Sequence, residues 1–213
     1  MQTLQVYYAR DVLGNADYTI VLTILTTGAM FVVSPLIPKI VETFGKQRAY
    51  VATAALTAIG GLGIAFSPPD VPAVPLVSLA VYGMGIAAVQ SLMWALHADT
   101  VEYGDWASGI RIEGANYAAL SFTRKVGQGV GGALAAFGIG LGGYTAGAAT
   151  QSAESLNAIR YVTGLGPAVF VGIGAATMLR YPLNEERFRG IVAELGNRRR
   201  ERILHGVESD GER

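Results

Sequence analysis

The sequence predicts an all-α membrane protein, and three observations carry that prediction. Five apolar runs of bilayer-spanning or near-spanning length recur along a chain of 213 residues. Charged residues make up only 15% and hydrophobic residues 51%, whereas soluble domains average about 25% charged. Glycine numbers 28, which weakens soluble helices but suits membrane helices that pack closely through small residues.

In chain order, residues 1–16 hold a short apolar piece interrupted by Arg10 and Asp11. It is too short to cross a bilayer, which needs about 20 residues. The first span is expected over about 18–37, closing at Pro35 and Pro38. Its length excludes a strand. A basic link with Lys39, Lys46 and Arg48 leads to the second span, about 50–66. The proline-rich turn SPPDVPAVP precedes the third span, about 76–96. An acidic connection follows, then a fourth span over about 116–141. A small-residue loop leads to the fifth, about 159–181, in which Pro167 is tolerated because neighbouring helices re-satisfy the freed carbonyl. Residues 1–181 thus read as one transmembrane half-bundle and 182–213 as a charged, amphipathic tail.

Charge asymmetry orients the bundle. One set of connections, with the tail, holds Lys39, Lys46, Arg48, Arg111, Arg187, Arg189, Arg198, Arg199, Arg200 and Arg202, while the other holds only Arg10 and Arg160. The C-terminus is therefore expected in the cytoplasm, with the chain a multi-pass protein of the cell membrane. The N-terminal piece then falls at the outer end of a sixth helix whose body is absent. The arginine run flanks the last span and can also meet anionic lipid.

Several classes are excluded. Formal net charge is zero, which implies no nucleic-acid partner. There is no cysteine, hence no disulfide framework or cysteine-based metal site. The sequence holds no signal peptide, internal repeat, P-loop, dinucleotide fingerprint or catalytic triad, and no histidine spacing suited to a metal. No enzyme and no cofactor is expected.

The stretch His97–Gly143 poses the physical question. Arg124 and Lys125 lie within an apolar helix, where each charge costs about 2.5–3.5 kcal/mol on insertion scales. They need water, a partner charge or a substrate. Tyr117, Ser121, Lys125, Gln128 and Gly132 recur at helical spacing on one face. Five positions in register favour a hydrated cavity over a lone inter-helix hydrogen bond. Lys125 should face that cavity, with Arg124 to one side, about 100° around the helix. There Arg124 has two readings, a fork for a substrate carboxylate or a structural pair with a neighbouring acid.

On the third span Gln90, Trp94 and His97 form a second stripe. An amide and an indole suit a sugar's hydroxyls and ring face, but Trp94 also fits an interfacial belt. The small-residue pairs of the fourth span, such as Gly127 and Gly131, read as helix-packing surfaces. Asp99, Glu102 and Asp105, spaced three apart, admit three readings: a cytoplasmic gate, solvated surface charge, or a Mg²⁺ site for a diphosphate. The last would want a second acidic cluster, which the sequence lacks.

The strings ADTVEYGDW, GIRIEGANY, SFTRKVGQGVGGALAAF and RYPLNEERFRGIVAEL resemble the glycoside–pentoside–hexuronide:cation symporters of the major facilitator superfamily, most closely the glucuronide carriers. The resemblance spans essentially the whole chain. It implies the C-terminal six-helix half of a twelve-helix transporter with its first helix truncated: the outer end of the seventh helix, then helices eight to twelve. It implies a sugar:cation symporter, for a glycoside or hexuronide such as a glucuronide, working by alternating access. By position, Lys125 falls on the family's intramembrane lysine and Ser121 on a hydroxyl position near the sugar. Asp99, Glu102, Asp105 and Arg111 fall on the loop where gating charge pairs form. Gln90 replaces a sugar-contacting tryptophan of melibiose permease, which argues against melibiose. The coupling cation, Na⁺ or H⁺, would bind carboxylates of an N-terminal half that this chain does not carry, and that half, the lipid bilayer and a sugar are the expected partners. The competing expectation is a stand-alone membrane subunit or a non-transporting remnant.

Overall fold

The computed structural model describes residues 2–68, 71–148, 150–183 and 185–211, with side chains omitted at 2–3, 199 and 202–211. Helix α1 is Gln2–Tyr7 and runs on as a π-helical turn, Tyr8–Val12. Helix α2, Tyr18–Phe44, is composite: a π turn at Ile24–Gly28 and a 3₁₀ turn at Ser34–Leu36 interrupt its α-helical pieces. The 3₁₀ turn contains Pro35 and precedes Pro38, neither of which can donate a backbone N–H. The prolines were expected to close this helix; it re-pitches through them and continues to Phe44 instead.

A single residue, Gly45, separates α2 from α3, Lys46–Ala65. Its φ of 76° is open to glycine but strained for a side chain. Helix α4, Ala73–Ser108, is 36 residues long and runs well past the expected end near 96, because nothing in HADTVEYGDW breaks a helix. Gly109, at φ 71°, caps it in the left-handed region. Then come α5, Glu113–Leu141, α6, Ala153–Met178, and α7, Glu185–Gly211. Ser152 caps α6 by accepting a hydrogen bond from the Ser155 N–H.

Helices α2, α3, α4 and α6 are each long and apolar enough to cross a membrane. Helix α5 spans 29 residues but is not in that set; it carries the Arg124–Lys125 pair and much glycine.

Helix α3 is the centre of the bundle, packed on α4 along one side and α6 along the other. Glycine makes this possible. A Cβ on Gly61 would run into the Gly164 carbonyl of α6, and one on Gly164 into the Gly61 carbonyl. Toward its Ser67 end the core comprises Tyr8, Leu22, Ile64, Leu79 and Ile159. Toward its Lys46 end it comprises Val33, Ile37, Ala49, Ala88 and Leu92. A third cluster, Leu183, Ile191 and Leu195, holds α7 against Trp106 at the far end of α4.

Helix α5 stands apart. It packs along α6, where Gly138 meets Val162 and Gly142 meets Ala158, and its one buried residue among those described is Ile139. Its glycines at 127, 131, 132 and 140 have no atom within 4 Å of where a Cβ would stand. The small-residue pairs expected to pack helices here therefore face open space; backbone-to-backbone packing uses the glycines of α3, α4 and α6.

Candidate substrate cleft and charged end

A cleft of about 1020 Å³ opens between α1, α2, α4, α5 and α6. Its polar wall groups include Arg124 and Gln128 from α5, Gln90 from α4, and Gln5 and Thr26 from α1 and α2. Gly127, Gly131 and Gly132 line the same space, so part of the α5 wall beside its cation is bare backbone.

Aromatic rings set the position of Arg124. Its guanidinium carbon lies 5.1 Å from the centre of the Trp94 ring, a cation–π arrangement. Trp94 stacks on Tyr117, centroids 5.7 Å apart and planes at 24°. His97 meets Tyr117 edge-on at 4.9 Å, and its Nε2 is buried with no hydrogen-bond partner among the described residues. The α4 stripe of Gln90, Trp94 and His97 thus faces α5. Within it, Gln90 lines the cleft and Trp94 backs the arginine.

The expected α5 stripe divides. Gln128 and Gly132 reach the cleft, and Tyr117 joins the aromatic tier. Lys125 and Ser121 are exposed and lie outside the cleft lining. Arg124 occupies the wall that the register assigned to Lys125. The physical reason is the helix's rotation, set at one end by the Tyr117–Trp94 stack and at the other by Ile139 and Gly142 against α6. The sequence reading missed Gln5 and Thr26. Gln5 belongs to a piece too short to span, and Thr26 is turned by a π turn that no periodicity announces.

The acidic run at the end of α4 also divides. Asp99, 6% exposed, accepts two hydrogen bonds from Lys46 Nζ, at 2.6 and 2.8 Å. That ammonium also sits 4.6 Å from the centre of the Phe188 ring of α7. Arg111 instead gathers Glu102 at 2.8 Å, Glu113 at 3.2 Å and Asp105 at 3.8 Å. Of these carboxylates, Glu102 first and then Glu113 hold the Arg111 guanidinium above its ordinary pKa. Beyond them Trp106 Nε1–H donates to Glu194 of α7 at 2.8 Å, and Arg198 bonds both Glu194 and the Trp106 carbonyl. The indole N–H first, then Arg198, holds the Glu194 carboxyl below the usual carboxylate range. Among the described residues no group of three or more His, Cys, Asp or Glu is placed to hold a metal.

A family profile described as MFS/sugar transport protein matches residues 1–185. The chain is 36% identical to a glucuronide carrier protein homolog of Escherichia coli K12 over 91% of its own length and 42% of the relative's. It is 34% identical to a provisionally named sulfoquinovose importer of the same organism, over 92% of this chain and 42% of the relative. It is 30% identical to an uncharacterized symporter of Bacillus subtilis, over 89% of this chain and 41% of that one. The chain therefore spans about 42% of the length of the relatives it matches, and its helical bundle with a bilayer's worth of apolar length agrees with a partial transporter. On the match of residues 1–185, the chain belongs to the MFS/sugar transport protein family.

Proposed function

We propose that this chain is the C-terminal half of a sugar:cation symporter whose substrate carries an anionic group, a hexuronide such as a glucuronide being the best fit. The observation that carries the reading is Arg124 in the cleft wall, backed by Trp94 and flanked by Gln128 and Gln90. A planar guanidinium matches a carboxylate or sulfonate in two-pronged fashion, and the amides suit hydroxyls. Two relatives are named for substrates of this kind: a glucuronide bears a carboxylate, sulfoquinovose a sulfonate.

The remaining roles belong to the same proposal. The protein is integral to the cell membrane, with α7 cytoplasmic, and acts by rocking of two half-bundles about a site between them. The coupling cation, Na⁺ or H⁺, binds carboxylates of the other half, and the exposed Lys125 reaches across to one of them. Ser121 lies on that same exposed face. Asp99 with Lys46, and Arg111 with Glu102 and Asp105, form the cytoplasmic gate.

The test is uptake by a full-length transporter carrying this half. Arg124→Gln is expected to lower uptake of a labelled glucuronide about 10- to 100-fold, the loss of one charged hydrogen-bonding contact. Uptake of the matching neutral glucoside should stay within about twofold, since that sugar has no charge to lose. Equal loss for both sugars would assign Arg124 to structure and remove the anionic-substrate reading.

A further inference from the structure

The carboxamide of Gln5 lines the cleft yet is only 5% exposed. A primary amide offers two N–H donors and two carbonyl lone pairs. Gln5 Nε2 donates one hydrogen to Thr26 Oγ1 at 2.8 Å. That hydroxyl is free to accept, because its own hydrogen goes to the Leu22 carbonyl at 2.8 Å. Thr23 Oγ1 lies 3.5 Å from Gln5 Oε1, but its hydrogen points to the Thr19 carbonyl at 2.8 Å. The amide is therefore tethered through one N–H and keeps a second N–H and at least one lone pair in hand. Inside a protein such spare capacity costs free energy unless something in the cleft meets it.

The tether is itself built for orientation. Thr26 sits in the π turn Ile24–Gly28, a feature that often marks functional sites because its extra residue re-aims side chains. Gly83 of α4 packs directly on the backbone of that turn at Leu25 and Thr26, so the hydroxyl holding Gln5 is fixed from behind. A glutamine serving only to join α1 to α2 would need neither the cleft nor spare valence.

We propose that Gln5 is a specificity-determining residue, presenting its free N–H and carbonyl oxygen to two adjacent ring hydroxyls of the sugar, at the end remote from the anion held by Arg124. This rests on reading the cleft as the sugar site. Each hydroxyl of a vicinal diol can donate and accept, so the pair matches an amide edge. No charged group lies in the Gln5–Thr26 wall among the cleft residues, so this wall reads the neutral end. An analogue lacking one of those hydroxyls would leave the buried amide unpaired, which is how such sites reject close relatives of a substrate.

The test uses the full-length transporter carrying this half, reconstituted in lipid nanodiscs, with titrations followed by saturation-transfer NMR, which reads weak binding. The probes are methyl glucuronide, its 3-deoxy analogue and methyl glucoside. The wild type is expected to prefer methyl glucuronide over the 3-deoxy compound by about 10-fold, the worth of one hydrogen bond plus the unpaired amide. Gln5→Met, similar in length but without donor or acceptor, should bring the two within about twofold while keeping the glucuronide-over-glucoside preference set by Arg124. Thr26→Val leaves the amide present but untethered and should lose part of the discrimination; Thr26→Ser should restore it. Undiminished discrimination in both Gln5→Met and Thr26→Val would overturn the proposal, leaving Gln5 a structural tie. The readouts separate the two readings. Equal binding of glucuronide and glucoside by the wild type would remove the anionic-substrate reading, while the 3-deoxy comparison still decides Gln5. Binding of none of the three sugars would overturn both.

Discussion

Lys46 and Asp99 show how one residue pair ties three helices. The carboxylate is buried at the side of α4, the ammonium opens α3, and Phe188 of α7 covers it. Removing one partner strands the other's charge, which costs far more than the pair itself contributes. Lys46→Ala is expected to destabilise the protein by about 3 kcal/mol, seen as a lowered thermal unfolding midpoint in detergent. The paired replacement Lys46→Met with Asp99→Leu should recover most of that loss. If the single and double variants unfold alike, Asp99 is not paying a burial penalty and the pair is an ordinary surface bridge. Arg111 is a different case. Its three carboxylate neighbours are partly exposed, and exposed bridges contribute little, so that cluster can open readily. In the sequence these acids were one group spaced three apart. They are divided by what faces them, Lys46 for one and Arg111 for the others, and facing residues belong to tertiary structure rather than to spacing.

At the scale of elements, the same residue type does opposite things in different helices. Gly164 and Gly61 let α6 and α3 touch backbone to backbone, whereas Gly131 of α5 has open space around it. Gly164→Leu should therefore push α6 from α3 and lower the unfolding midpoint by many degrees. Gly131→Ala should leave it unchanged or raise it, since alanine is favoured over glycine in a helix by about 0.5–1 kcal/mol. Equal damage from both substitutions would mean that α5 is packed as tightly as α6. How far the helices were legible follows from what defines each. Apolar length announces α2, α3, α4 and α6, because a membrane span is a property of composition. Boundaries were less legible: Pro35 and Pro38 look like a stop, yet 3₁₀ geometry carries α2 onward. Helix α4 overruns its apolar segment because polarity does not end a helix. The rotation of α5 was not legible for a related reason. Periodicity lists which residues share a side, but the contacts of Tyr117 and Ile139 decide which side turns inward.

For the whole molecule, the charged end is a joint between the bundle and α7, and acid should loosen it. Glu194 titrates below the usual carboxylate range when its partners Trp106 and Arg198 are in place. A group depressed in the docked state stabilises docking above its ordinary value, about 4.3. That contribution is lost as pH falls through the depressed value. In a Trp94→Phe background Trp106 is the one remaining tryptophan of the two. Its emission should stay constant at neutral pH and change below about pH 4, and Glu194→Gln should flatten the transition. A change centred near neutrality would point to another group. The length of α4 has a mechanical consequence. At 1.5 Å per residue its 36 residues extend about 54 Å, more than the roughly 40–45 Å between the headgroup surfaces of a bilayer. In the proposed membrane setting it forms a lever whose C-terminal end reaches beyond the expected apolar run. Asp99 lies 13 residues beyond Ile86, the midpoint of the expected apolar run 76–96, which is about 20 Å along the axis. A tilt of about 10° at that midpoint swings Asp99 sideways by about 3 Å, as far as its bonds to Lys46 reach. If the proposed gate is right, a rearrangement around the substrate too slight to disturb the packing of α3 would be magnified, at the tip, into the making or breaking of a latch.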